Sequence, residues 1–234
     1  SIALRKQGIM PARPRANLSE QVYERLRTQI LERRLTPETK LDINALSAEL
    51  GVSRMPILEA LTRLKHERLV VSKNRVGTYV LPLDRTTLME TFEARRMIED
   101  WIAPRTIMHL RDSDVLDLRA LLERAAQLFV DVTDETFDYR AYVEYDTEFH
   151  LTLVRLCGNS AVVNFYTSLN SHMQIARAYS LRALSRSRDG HGEHERIVDA
   201  FAARDVDQAR EAQRLHLESS IHGVLALIDQ YGAL

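Results

Sequence analysis

The chain has 234 residues, a net charge of −1, 45% hydrophobic residues and one cysteine. That length suits one or two domains. A single cysteine excludes a disulfide-stapled scaffold, and no apolar run approaches the length of a membrane helix. No signal-peptide pattern opens the chain, so a cytoplasmic protein is expected. The charge is unevenly spread: residues 1–80 hold 15 Lys and Arg against 8 Asp and Glu, and the remainder 17 against 25. A basic front and an acidic back suit a nucleic-acid module joined to one that does not touch nucleic acid.

Residues 1–17 read as a flexible basic tail carrying Arg5, Lys6, Arg13 and Arg15. A helix is predicted over about 18–33, with Val22, Leu26 and Ile30 on one stripe. The run Ile43 to Ile57 then reads as helix, tight turn, helix. Leu46 and Leu50 share a face, and Gly51 can take the left-handed conformation that ends a helix. Ser53 suits an N-cap, and Pro56 is tolerated in a first helical turn. Ile57, Leu61 and Leu64 complete the inner stripe, leaving Arg54, Met55, Leu58, Glu59 and Thr62 outward. Leu69-Val70-Val71 and Lys73 to Val80 read as two strands around a basic loop. Residues 18–82 therefore form a candidate winged helix-turn-helix, whose second helix enters the major groove of double-stranded DNA. The predicted contact set is Lys40, Ser53, Arg54, Leu58, Thr62, Arg63, Lys73, Arg75 and Gly77.

Residues 83–234 carry the helical period throughout. Helices are expected at Thr86 to Leu110 (interrupted only at Pro104), Asp112 to Asp131, Phe137 to Cys157, Ala161 to Leu184, Asp189 to Ala203 and Asp205 to Tyr231. Gly158-Asn159, Arg188-Asp189-Gly190 and Arg204-Asp205 are the expected breaks. Asp112, Ser160 and Asp205 are the expected N-caps. The whole is mainly α: a winged module followed by an all-helical bundle of about six helices, enough to enclose a pocket. Cys157, set among Leu153, Val154 and Leu156, reads as a packing thiol.

No phosphate-binding glycine loop and no catalytic Ser-His-Asp or Cys-His signature appears. Gly190 to Glu195 resembles a zinc-peptidase box, but Val198 stands where its second histidine belongs. Asp146 and His150 lie four residues apart on one helix face, with His194 and His216 on later helices. Three imidazoles and a carboxylate suit zinc or nickel, with manganese or cobalt as alternatives. By spacing alone, an exposed Asp-His pair is the commoner explanation of the pattern.

The front of the chain resembles the GntR family of bacterial regulators, in Leu41-Asp42-Ile43, Ser53-Arg54-Met55-Pro56 and Glu59-Ala60-Leu61. The back resembles the FCD ligand-binding domain of the FadR subfamily. Phe92 to Glu99 is similar to its opening helix, Asp146 to His150 with Gly158-Asn159 to its central signature, and Glu193 to Ala200 with Asp205, Ala209 and His216 to its closing one. The resemblance implies a six-helix bundle holding a divalent metal on Asp146, His150, His194 and His216. It further implies a small carboxylate effector in the same pocket, a homodimer, and a short inverted-repeat operator, most often repressed. Arg95 matches the arginine of the opening helix and would clamp the effector; the alternative is a surface ion pair with Glu99. Tyr142, His172 and Arg177 are further effector candidates, against plain packing or a solvated face. The chain departs from the family in Met55-Pro56-Ile57-Leu58, where Leu58 replaces a base-reading arginine, and in Glu38 and Arg68, which replace glycines. Two other functions stand beside the regulator: a metalloenzyme with an attached DNA-binding module, and a metal sensor.

Overall fold

The computed structural model describes residues 15–231 apart from 68, 74, 75, 83 and 182, and leaves aside the side chains of 15–17, 170–172, 174, 175, 178 and 179. Most of the expected basic tail lies outside the described residues.

Helix α1 (Arg15–Leu31) begins three residues before the expected start. It is followed by β1 (Lys40–Leu41), α2 (Ile43–Leu50), α3 (Arg54–His66), β2 (Val70–Lys73) and β3 (Gly77–Val80). The sequence reading missed β1, whose two residues are too short for an alternation signal. The sheet is antiparallel in the order β1-β3-β2, with Lys40 opposite Tyr79 and Val70 opposite Val80. Val22, Leu26 and Ile30 meet Leu46, Ile57, Leu61 and Leu64 in a shared core. The turn between α2 and α3 follows its residues. Gly51 ends α2 at φ +64°, and Ser47 Oγ donates to the Val52 carbonyl at 2.6 Å. Asp42 caps α2, accepting from the backbone of Asn44 and Ala45. Ser53 occupies the N-cap position of α3 in extended backbone, without a side-chain cap bond. Glu38, one of the two glycine replacements, sits at φ +62°, a region L-residues rarely adopt. Its N–H donates to the Val80 carbonyl at 3.0 Å, which ties the turn to β3.

The second part is six helices: α4 (Arg85–His109), α5 (Asp112–Ala126), α6 (Tyr139–Arg155), α7 (Ser160–Ser180), α8 (Leu184–Ala202) and α9 (Val206–Tyr231). Pro104 does not interrupt α4. Proline cannot donate to the Asp100 carbonyl four residues back, and Arg210 Nε of α9 approaches that oxygen at 3.4 Å instead. Three local expectations are corrected. Asn159, not Ser160, caps α7, accepting from Ala161 and Val162. Asp112 is the first residue of α5 rather than its cap, and the Asp114 carboxylate accepts from the Arg111 backbone at 2.8 Å. Arg188-Asp189-Gly190 is not a break, because α8 runs through it. A Cβ on Gly190 would lie 3.4 Å from the Tyr142 hydroxyl, so this glycine serves close packing of α8 on α6. Asp205 caps α9 as expected, accepting from Gln208 N at 2.9 Å.

A second core joins Leu118, Leu122, Phe149, Leu153, Ile197, Val198 and Phe201. Cys157 is buried beside Ile98, Ile102 and Tyr166, in the packing role expected of it. The first core continues past the winged module into Phe92, Met173, Leu217 and Val224. One apolar mass thus connects the sheet-bearing module with the helices that surround the polar centre.

Candidate metal centre and nucleic-acid interface

Helix α6 turns Asp146 and His150 toward the bundle axis, since they stand one helical turn apart. His194 enters from α8 and His216 from α9. All four side chains are buried, and one ligand atom from each lies within 4.8 Å of the others. The alternative of an exposed Asp-His pair fails on burial: Asp146 is 4% exposed and His150 2%.

The surroundings fix which ring nitrogen faces inward. His216 Nδ1 lies 2.7 Å from Glu193 Oε2, and His194 Nδ1 lies 3.1 Å from the Tyr145 hydroxyl. His150 Nδ1 faces Glu99 Oε1 at 3.8 Å. With the Nδ1 sides occupied, His150 Nε2 and His194 Nε2 are left buried without a hydrogen-bond partner. Buried polar atoms are ordinarily satisfied, so two orphans aimed at one point mark a place for a shared electrophile. Asp146 divides its oxygens: Oδ1 lies 3.5 Å from His194 Nε2, and Oδ2 accepts from Arg177 Nε. The donor set of three imidazole nitrogens and one carboxylate oxygen fits a divalent transition metal with positions to spare.

Electrostatics favour the same state. Burial pushes His150 and His194 well below their ordinary 6.5, and the neighbouring cations reinforce this, so both rings stay neutral and able to coordinate. Burial would raise Asp146, but Arg177 and the histidines outweigh it and hold the carboxyl below its ordinary range. For Glu193, burial is likewise overcome by His216 and Arg186, bringing it to about 2. Arg186 holds Glu193 through two nitrogens at 3.1 and 3.0 Å and Ser220 Oγ at 3.1 Å.

A narrow crevice of about 10 Å³, the room of a single water, lies beside the cluster, with Arg95, Asp146, Arg177 and His216 in its wall. Arg95 combines both of its expected readings. It does pair with Glu99, at 2.5 Å, but in the interior rather than on the surface, and the residue still belongs to the cleft wall. Tyr142 is fully buried among Phe129, Phe137 and Tyr145, away from the cleft wall, because its hydroxyl is turned against α8. The His172 side chain lies outside the described residues. Sequence reasoning missed Tyr166 and Arg186, which bond the carboxylates of Glu99 and Glu193 beside the centre. Tyr166 donates to Glu99 at 3.0 Å across 67 residues, a separation no local pattern reveals.

In the winged module, the N-cap Ser53 and, along α3, Arg54, Met55, Leu58, Glu59 and Thr62 are exposed. A groove beside them is lined by Lys40, Asn44, Arg54, Ser72, Lys73 and Gly77. Gly77 sits at φ +138°, and a Cβ there would lie 2.9 Å from Lys40 Cε, so the wing glycine makes room for that lysine. Arg63, also exposed on α3, pairs with Glu20 at 2.5 Å and stacks 3.7 Å over the Tyr23 ring of α1. Arg75 lies outside the described residues. Among the described residues, no helix is long and apolar enough to cross a membrane.

Residues 18–80 match the family description "Bacterial regulatory proteins, gntR family", and residues 90–219 match "FCD domain". The chain belongs to the GntR family. Its members are transcriptional regulators rather than enzymes, and they bind DNA. The gluconate operon transcriptional repressor of Bacillus licheniformis is 30% identical over 185 residues, 79% of this chain and 73% of that one. Among solved structures, McbR/YncC of Escherichia coli overlays with a TM-score of 0.71 at 20% identity, covering 90% of this chain and 98% of that chain. A metal-free FCD domain named TM0439 overlays at 0.53 with 17% identity, covering 64% of this chain and 99% of that chain. At such identities the two structures establish the shared fold alone. This GntR regulator is thus a winged module joined to a helical FCD domain, with relatives that repress operons.

Proposed function

We propose that this GntR regulator is a metabolite-responsive repressor acting in the cytoplasm. Residues 18–82 would bind a short inverted repeat as a dimer, and residues 83–234 would hold a divalent metal and a small carboxylate effector. One observation carries the reading: a buried cluster of one aspartate and three histidines, with two inward-facing, unpartnered Nε2 atoms, stands beside a cleft walled by two arginines. Asp146, His150, His194 and His216 would hold the metal, zinc or nickel by donor type. The metal would supply a Lewis-acidic anchor for an effector carboxylate. Arg95 and Arg177 would orient the acid.

On the DNA side, Ser53, Arg54, Leu58 and Thr62 would face base edges and backbone, with Lys40, Lys73 and Gly77 at the wing. Leu58 offers apolar contact only, such as to a thymine methyl. The apolar mass shared by Phe92, Met173 and Val224 with the winged core supports a mechanical link between them. Effector binding would then shift the population of module orientations, and with it the half-site spacing.

The test is selection of bound duplexes from a random pool at moderate salt, followed by titration of candidate acids on the selected duplex. An enriched inverted repeat released by an acid is the expected result. If no acid changes operator affinity, the switch is not a carboxylate sensor.

A further inference from the structure

The charges around the centre cancel in pairs. Arg95 is paired with Glu99, Arg177 with Asp146, and Arg186 with Glu193. The first two pairs are deeply buried, and the third is shielded at 15% and 11% side-chain exposure. The three histidines would coordinate as neutral rings. Three cations and three anions therefore leave the protein interior near neutrality before any metal is counted.

A divalent metal adds two positive charges that no residue of the centre offsets. Among the described residues, Asp146 is the only carboxylate in the cleft wall, and it is already held by Arg177. The rest of the wall mixes apolar residues, Phe92, Met173 and Val224 among them, with Arg95, Arg177, Ser180, His216 and Ser220. Arg95 adds a directional cue: its Nη2 is buried without an acceptor, while the residue belongs to the cleft wall. Glu99 Oε2 also lacks a partner, but Glu99 is not part of that wall. Uncompensated charge in a poorly hydrated interior is strongly unfavourable, so the entering ligand has to balance what the residues do not.

Building on the metal-and-acid reading above, we infer that the effector is a dianion: a dicarboxylate or similarly doubly charged acid, not a simple monocarboxylate. Its two negative charges together would offset the metal's two positive ones, with one carboxylate at the metal and the other toward the unpaired Nη2 of Arg95.

The experiment is a calorimetric titration of the full chain, stripped with chelator, reloaded with zinc and checked for metal content. Succinate is compared with butyrate and glutarate with valerate, so that carbon number is matched, and gluconate is included as a polyhydroxylated monoanion. The dianions are expected to bind about tenfold or more tightly than their matched monoanions. That preference should shrink in metal-free protein. Equal or tighter binding of butyrate, valerate or gluconate would overturn the dianion while leaving the acid-effector reading intact. Binding of none of the five acids, with zinc retained, would remove the acid-effector reading itself and the dianion with it.

Discussion

The polar centre of the FCD domain and the surface of the winged module handle charge in opposite ways. In the FCD domain, Arg95 and Glu99 pair at 2% and 3% side-chain exposure. In the winged module, Arg25 and Glu49 pair at 55% and 56%. The centre encloses its ions, so each must be matched or it destabilises the fold. Arg25 and Glu49 stay in water, where such a pair adds little to stability, and the exposed cations of this module are available to a polyanion. Enclosure suits selecting a small ligand, and exposure suits gripping a phosphate backbone. Removing single charges and ligands from each half puts that contrast to the test.

The largest effect on metal content should come from His150→Ala combined with His194→Ala. Metal content by elemental analysis is expected to drop to background, together with the stabilisation that metal confers on the folded state, about 3 to 4 kcal/mol when free metal exceeds its dissociation constant by two to three orders of magnitude. Equal metal content in the wild type and the double variant would sink the assignment.

The ion pairs come next. Arg95→Met strands the Glu99 carboxylate in the interior and should destabilise the fold by about 3 to 5 kcal/mol, while Arg95→Met with Glu99→Leu should recover most of that loss. Arg25→Ala should change stability by less than about 1 kcal/mol. Denaturant midpoints decide it, and a similar small loss for Arg95 and Arg25 would mean that the interior is wetter than its burial implies.

A pH dependence follows from the histidines. In the folded chain, His150 and His194 titrate well below 6.5, so the unfolded chain binds protons first as pH falls. Their contribution is fully present above pH 6.5 and is lost as pH drops below it, with a slope of at most about 1.4 kcal/mol per pH unit for each ring. Asp146 and Glu193 are shifted downward from 3.8 and 4.5, so they weaken the fold only at lower pH. Chelator-treated protein melted between about pH 6.5 and 5 should therefore lose stability, and His150→Gln should flatten the curve. An unchanged slope in that variant would show that His150 is not excluded from protonation.

How much of this was visible in the residues depends on how far apart the partners lie. The winged module was legible because its signals are local: the Leu46–Leu50 stripe, Gly51 and the strand runs each act within a few positions. The four cluster positions were legible only in part. Asp146 and His150 are a helical pair, but joining them to His194 and His216 needed the family resemblance. The outer partners were not legible, since Tyr166 reaches Glu99, and Tyr145 reaches His194, through tertiary packing. Gly190 misled for a physical reason. A glycine that ends a helix and one that lets two helices approach look the same in a sequence. β1 was lost because two residues cannot show a period.

The smallest effects on stability should accompany the clearest effects on DNA. Arg54, Leu58 and Lys73 are exposed and belong to no buried pair, so Arg54→Ala, Leu58→Ala and Lys73→Ala should each shift the melting free energy by no more than about 0.5 kcal/mol. Their DNA signatures should differ. A phosphate-holding Lys73 or Arg54 carries the salt dependence, so its loss should lower the slope of log affinity against log salt by about one while weakening all sequences alike. Leu58 carries no charge, so Leu58→Ala should leave that slope unchanged and relax preference at a single base pair in each half-site. Arg63→Ala is the internal control, because its guanidinium is held by Glu20 and Tyr23 on α1. If Arg63→Ala lowers the salt slope as much as Lys73→Ala, that pairing opens on DNA and the contact face extends along α3 to its last turn.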